Sequence, residues 1–248
     1  MSYTGKVIVV TGATSGLGKE MALAFARAGA NVVVSSRHQE SCDAVVQEIS
    51  DSGLPDALGV AAHVGSWDDD DRLIETAVEH FGRLDVLVNN AGSSPLYGGL
   101  DDLSRELVDK VFAVNLFGPL RLSIAAARAM SPGGAVLNIS SSAAVQPMPY
   151  DLPYAMAKSG LQTMTVGLSK ALAPDVRVNA IMAGPFATRV AANWTDETHA
   201  RIEETVALER VGQPREVVGA ALYLCGSDAS YTTGAVLKVD GGMAWAPA

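Results

Sequence analysis

Cysteine is scarce: Cys42 and Cys225 are the two in 248 residues, and neither sits in a C-x-x-C pair. That excludes a disulfide framework and leaves two reduced core thiols as the simple reading. Positive charge is also short, since 18 Lys and Arg against 27 Asp and Glu leave a net charge of −9. With no basic tract, the chain is a poor match for a nucleic-acid backbone or an anionic membrane surface. Charged residues make up only 18% against 48% hydrophobic, the reverse of a disordered chain. No apolar run approaches the ~18–20 residues of a membrane span. The chain opens without a basic stretch followed by an apolar one, so no secretory signal is expected and the expected location is cytoplasmic. No Pro/Gly/Ser linker, repeat or low-complexity tract divides the sequence. Residues 1–248 are therefore expected to form a single domain, near the upper size for one core.

What is present is a set of short, β-branched apolar runs. They are Val7–Val10, Val32–Val34, Leu58–Ala62, Val86–Val88, Ala135–Ile139, Val176–Ile181 and Val236–Val239. Such runs without polar alternation suit strands buried on both faces. Helical periodicity fills the intervals: Leu17–Ala28, Glu40–Ile49, Asp68–Phe81, Leu103–Met130, Tyr154–Ala173 and Pro214–Leu224. The alternation predicts an α/β fold, a doubly wound parallel sheet of about seven strands with helices on both faces and right-handed crossovers. The four aspartates at Asp68–Asp71 are read as carboxylates at the positive end of a helix dipole, and no metal site is expected. The least regular stretch begins near Gly184, and residues 184–210 are expected to act as a lid over a site.

Thr11-Gly12-Ala13-Thr14-Ser15-Gly16-Leu17-Gly18 follows the first strand and opens the first helix. Glycines there allow a tight turn and close backbone approach to a phosphate, while the helix start offers free N–H groups. The spacing is G-x-x-x-G-x-G. Its place between strand and helix points to a dinucleotide in a Rossmann-like fold. At the end of the second strand an acidic residue would bond the ribose hydroxyls. Ser35-Ser36-Arg37 stands there instead: Ser36 is small and neutral, and Arg37 is a fork-shaped cation suited to phosphate. NADP(H) is therefore expected in preference to NAD(H).

Tyr154 and Lys158 share one helix face in Tyr-Ala-Met-Ala-Lys. A tyrosine with a pKa near ~10 needs roughly 4 kcal/mol to titrate near ~7. One cation about 4 Å away supplies that order at an effective dielectric near ~20. The pair is a plausible acid/base unit. Asn138-Ile139-Ser140-Ser141-Ser142 and Asn89-Asn90-Ala91-Gly92 both end strands, where open α/β sheets bind ligands, and Asn115 lies in a long helix between apolar neighbours.

Taken in order, Thr11–Gly18, Asp85, Asn89–Gly92, Asn115, Ser141, Tyr154, Lys158, Asn179, Thr188 and Asp240-Gly241-Gly242 resemble the short-chain dehydrogenases/reductases over essentially the whole chain. The resemblance selects Ser141 by its thirteen-residue spacing to Tyr154, with Ser140 and Ser142 as fallbacks. It implies Tyr154 as general acid in reduction and base in oxidation. Lys158 would lower the Tyr154 pKa and bond the nicotinamide ribose. Ser141 would bond the substrate oxygen, and Asn115 would support a water that relays protons to Lys158. For the cofactor it implies Gly12, Thr14, Ser15, Gly16, Leu17 and Gly18, then Ser36 and Arg37, with Val64, Tyr154 and Lys158 also in contact with it. Asn89, Ala91 and Gly92 would line the adenosine ribose side, with Phe186 and Thr188 at the carboxamide and phosphate. His63-Val64 replaces an Asp-Val that the family often places beside the adenine, so His63 is either an adenine contact or an ordinary strand-end histidine. Ala183-Gly184-Pro185 departs from the family's Pro-Gly and puts the lid's entry angle in doubt.

The expected pocket is mostly apolar: Ser93, Pro95, Leu96, Ala143, Val145, Met148, Tyr150, Phe186, Val190 and Trp194. It suits a neutral ketone, aldehyde or 3-oxoacyl compound, as carbonyl or alcohol. The resemblance also implies a homotetramer, or a homodimer. Val111, Val114, Leu116, Leu120, Leu161, Met164 and Leu168 offer apolar surface for it, while Gly242–Trp245 would finish an interface or shape the pocket. A non-catalytic dinucleotide sensor and an NAD(H) enzyme of the same family are the alternatives.

Overall fold

The computed structural model describes residues 2–95, 97–188, 191 and 194–244. Leu96, Val190 and Trp245, all named above, lie outside them. Seven parallel strands form one sheet: β1 (Val7–Thr11), β2 (Asn31–Ser36), β3 (Ala57–Ala61), β4 (Leu84–Asn89), β5 (Met130–Ser141), β6 (Val176–Ala183) and β7 (Val236–Val239). Their spatial order is β3-β2-β1-β4-β5-β6-β7. The order reverses between β1 and β4, so the loops leaving these two strands diverge and open a crevice at their C-terminal ends.

The helices are α1 (Gly16–Arg27), α2 (Gln39–Asp51), α3 (Trp67–Phe81), α4 (Arg105–Phe112), α5 (Gly118–Ala129), α6 (Leu152–Ala171), α7 (Asp196–Thr205) and α8 (Val218–Cys225). Alternation along each strand builds two cores. Ile8, Val10, Val32 and Val34 pack with Met21, Phe25 and Ile49 on one face. Val7, Val9 and Val33 pack with Leu73, Ile74 and Leu122 on the other. Asp85 ties the bases of two strands: it accepts from the Val7 amide at 3.0 Å and pairs with Lys6 and Arg83.

Three expectations change. The long helix expected from Leu103 to Met130 is interrupted by a π-helical turn, Ala113–Phe117, between α4 and α5. Together these run continuously from Arg105 to Ala129, a helix long and apolar enough by length and composition alone to cross a membrane, where the sequence predicts no such stretch. Part of this helix is buried against α3 and α6, as in the core helix of a globular domain. The lid stretch, expected to be irregular, contains α7. Its residues are almost wholly polar, so it carries no amphipathic signal. Its start was legible: Thr195 caps the Thr198 amide at 3.2 Å, and Asp196 and Glu197 occupy the first turn.

The aspartate run opens α3 as expected, yet its members differ. Asp71 pairs with Arg121. Asp70 is fully buried, accepts from the Gly65 amide, and burial lifts its carboxyl to about 7. No group of three or more potential metal ligands occurs among the described residues.

Candidate active site

The crevice at the β1/β4 switch point is lined by the glycine turn. Gly12 and Gly16 have φ of 63° and 55°, in the left-handed region that side chains avoid. At Gly18 the constraint is space. A Cβ there would stand 2.3 Å from the Gly12 carbonyl oxygen and 2.4 Å from Asn90 Nδ2. The turn therefore closes directly onto the loop after β4. Asn90 Nδ2 donates to the carbonyls of Thr11 and Gly12, and Thr11 Oγ1 accepts from the amides of Asn90 and Ala91. Asn90 and Thr11 are thus the clasp between the two loops. Both were quoted in motifs above, but neither was singled out, because only their partners across 79 residues reveal the role.

Ser15 precedes α1 in extended conformation and makes no side-chain cap, leaving the first-turn amides of Gly16, Leu17 and Gly18 for an anion. Thr14 donates to Ser36 Oγ at 3.2 Å, which links the turn to the end of β2. Arg37, next along, is exposed, and no carboxylate among the described residues pairs with it. Thr188 packs over Gly16, where an added Cβ would meet its Cγ2 at 3.2 Å. Phe186 is buried and pairs with Gly212 by a β-bridge, which fixes the chain leading to Thr188. Gly184 lies so close to Asp240 that a Cβ would come within 2.6 Å of its Cα. The chain after Ala183 is therefore placed by contact with the end of β7. His63 is exposed, with its amide donating to Asp69, while Val64 is buried.

Asn89 needs correction. It does not line the ribose side; its side chain turns into the interior. Asn89 Nδ2 donates to Asn138 Oδ1 at 2.9 Å and also reaches Ser123 and the Pro119 carbonyl. Asn138 in turn donates to Thr165 on α6. This buried chain crosslinks β4, β5, α5 and α6 below the crevice, and Ala91 and Gly92 are left at the crevice.

On the far side of the crevice stand Tyr154 and Lys158. Lys158 is buried, its Nζ donates to the Ile139 carbonyl at 2.8 Å, and it sits 5.6 Å from the Tyr154 ring centroid. Burial pulls the lysine down to about 8. Burial likewise pushes the Tyr154 phenol above its ordinary value, the Ser141 hydroxyl beside it works in the opposite direction, and Asp151 adds to the rise. In the protein alone, desolvation therefore sets the direction of the Tyr154 shift.

The three adjacent serines separate. Ser140 donates to the Lys158 carbonyl and accepts from Gln162, and Ser142 donates to Met243 Sδ. Ser141 is the one against the Tyr154 phenol. Asn115, in the π-helical turn, is fully buried, and its amide is spent on the backbone of Ser93 and Val111. Gly92 packs between them: a Cβ there would lie 3.0 Å from Asn115 Oδ1 and 3.7 Å from Lys158 Nζ.

A family model described as enoyl-(acyl carrier protein) reductase matches residues 12–244. The dehydrogenase/reductase SDR family member 4 of Homo sapiens is 38% identical over 242 residues, covering 96% of this chain and 87% of the relative. A short-chain dehydrogenase/reductase from Serratia marcescens superposes with a TM-score of 0.93 at 32% identity, over 99% of this chain and 100% of that one. A blue fluorescent protein from a metagenomic library, solved with NADPH, gives 0.92 at 30% identity, over 99% and 100%.

Proposed function

The chain belongs to the short-chain dehydrogenase/reductase family, and from that premise we propose an NADP(H)-dependent oxidoreductase that interconverts a carbonyl compound and its alcohol. The observation that carries this reading is the convergence of Tyr154, Ser141 and Lys158 beside a glycine cradle with no room for side chains. The cradle fits a dinucleotide: Gly12, Gly16 and Gly18 leave the backbone bare where a pyrophosphate would approach, and the start of α1 presents amides to it. On this reading Thr14, Ser15, Leu17, Val64, Ala91, Gly92 and Thr188 are the further cofactor residues, Thr188 packing directly over Gly16. When bound, the nicotinamide group supplies the hydride.

Tyr154 donates its phenolic proton to the substrate oxygen in reduction and takes it back in oxidation. Ser141 donates a hydrogen bond to that oxygen as charge grows on it. Lys158 holds positive charge near the phenol and favours its ionised form when the proton leaves. Asn115 fixes Ser93 at the entrance and would support a water that relays protons to Lys158.

Arg37 is the residue that selects the cofactor. Its fork is exposed, pairs with no carboxylate among the described residues and stands next to Ser36, a neutral residue that would not repel a 2′-phosphate. The blue fluorescent relative solved with NADPH is consistent with this choice. The residues expected to meet the substrate, among them Pro95, Ala143 and Phe186, are mostly apolar, which favours a neutral ketone, aldehyde or 3-oxoacyl substrate. Residues 184–210 form its lid. Exposed Phe117, Met156 and Val166 on the π-helical turn and α6 support a homotetramer, or a homodimer, whereas Val111 and Leu161 are consumed by the protomer's own core. Buried, free Cys42 and Cys225 fit a cytoplasmic, reducing setting.

The test is consumption of NADPH and of NADH over ketones, aldehydes and 3-oxoacyl thioesters, including benzil and 4-nitrobenzaldehyde, for wild type beside Tyr154→Phe. Turnover with NADPH that collapses in the variant is the expected result. A wild type that binds NADPH and reduces none of these compounds would favour the non-catalytic sensor.

A further inference from the structure

α6 begins without its own cap. Asp151, the N-cap residue, makes no side-chain bond to the first turn. Its carboxylate turns back to accept from the Met148 amide at 2.9 Å. Pro153 has no N–H to offer, so the Leu152 amide, the first of the helix, needs an acceptor from elsewhere. That acceptor is the Tyr97 hydroxyl, at 3.0 Å and 55 residues away in sequence. The same hydroxyl donates to the Pro149 carbonyl. A phenol has one proton to give, and here both its donor and its acceptor capacity are used on the chain entering α6.

The other end of the Tyr97 loop is also tied. Ser93 exchanges two hydrogen bonds with Asn115, its carbonyl accepting at 2.8 Å and its amide donating at 3.3 Å. Ser93 is thus strapped to the π-helical turn and Tyr97 to the start of α6. Tyr97, Pro95 and Tyr154 line one small cavity together with Leu107, Val111 and Pro153. Tyr154 lies only two residues after Leu152, in the turn that Tyr97 caps.

We propose that Tyr97 is a positioning residue whose hydroxyl caps α6 and so fixes Tyr154 against the loop that borders the substrate. The role rests on the reductase reading above. Without the hydroxyl, the first turn of α6 loses its cap and the loop loses its second strap. Tyr154 then samples positions away from the substrate oxygen, and proton delivery slows. A misplacement of this kind lowers the chemical step without touching cofactor affinity, since the glycine cradle is on the opposite wall.

The experiment uses Tyr97→Phe, which keeps the ring and removes only the hydroxyl. Reduction of benzil and 4-nitrobenzaldehyde by saturating NADPH is measured per NADPH-binding site, with ordinary and 4-deuterated NADPH. Hydrogen exchange is followed on the peptide containing Leu152. The expected result is a kcat about tenfold lower, an unchanged NADPH Kd, an altered deuterium isotope effect and faster exchange at Leu152. A merely structural role would lower the fraction of active sites and leave per-site kcat and isotope effect alone. Unchanged exchange at Leu152 would overturn the cap. Faster exchange with unchanged per-site kcat would overturn the positioning role while leaving the reductase reading standing. A wild type inert toward every carbonyl compound tried would remove the reductase reading, and the positioning role with it.

Discussion

The Lys158 ammonium lies 5.6 Å from the centroid of the Tyr154 ring, one helical turn further along α6, and it is almost wholly buried. Such a lysine is held in place at a cost in stability. Its pKa in the fold is about 8, below the ordinary 10.5. A folded-state value lowered in this way means that the native state gives up its proton first. Between about 8 and 10.5 the unfolded chain binds the extra proton, so stability rises with pH across that window. Below it the full penalty stands, about 3 kcal/mol. Lys158→Met should therefore stabilise the protein at pH 7, by about 1–2 kcal/mol once the lost bond to Ile139 is set against the relief. The gain should shrink toward pH 10. Thermal unfolding at both pH values reads this, and a variant less stable than wild type at pH 7 would contradict it.

On the proposed role of its phenol as proton donor, Tyr154→Phe should lower kcat for carbonyl reduction by about 10²–10⁴-fold with NADPH binding largely preserved. Steady-state rates and a cofactor fluorescence titration check the two halves. Activity within twofold of wild type would remove Tyr154 from the chemistry.

Arg37→Ala should weaken NADPH binding by about ten- to a hundredfold, as for a lost charge-assisted contact. NADH binding should stay nearly constant. Equal weakening of both cofactors would show that Arg37 does not meet a 2′-phosphate.

Gly18→Ala puts a methyl group 2.3 Å from the Gly12 carbonyl and 2.4 Å from Asn90. Neither can yield without parting the loop after β1 from the loop after β4. A stability loss of about 1–3 kcal/mol and at least a tenfold weaker dinucleotide affinity are expected. Calorimetry and a binding titration on one sample measure both. Normal NADPH affinity would mean that the clasp is irrelevant to the cofactor.

Asp85 is one of the carboxylates through which acid should act on the fold. Burial pushes its carboxyl up, but Arg83, the Val7 amide and Lys6 together pull it further down, to a net value below the ordinary one. A depressed folded value stabilises the protein above the unfolded pKa and loses that contribution as pH falls through the folded one. Asp85→Ala should cost about 1–3 kcal/mol at pH 7, since it leaves the buried Val7 amide unpaired. The difference from wild type should narrow at strongly acid pH, where the charge-dependent part of the contribution is gone. An equal deficit at acid and neutral pH would assign the effect to packing.

The strand and helix order, the glycine turn and the Tyr154–Lys158 spacing were all determined by the sequence, because each is a local pattern. A buried parallel strand needs a short apolar run, a phosphate turn needs bare backbone, and a four-residue spacing sets two side chains on one helix face. The direction of a side chain and the identity of a distant partner are not local, and these the tertiary structure decided. It turned Asn89 inward to Asn138 and made Asn90 and Thr11 the clasp. Among three serines with equal claims by composition, it set Ser141 against the Tyr154 phenol, since adjacent residues of an extended strand point to opposite faces. It also supplied the cap of α6 from Tyr97, a hydrogen bond across 55 residues that no periodicity encodes.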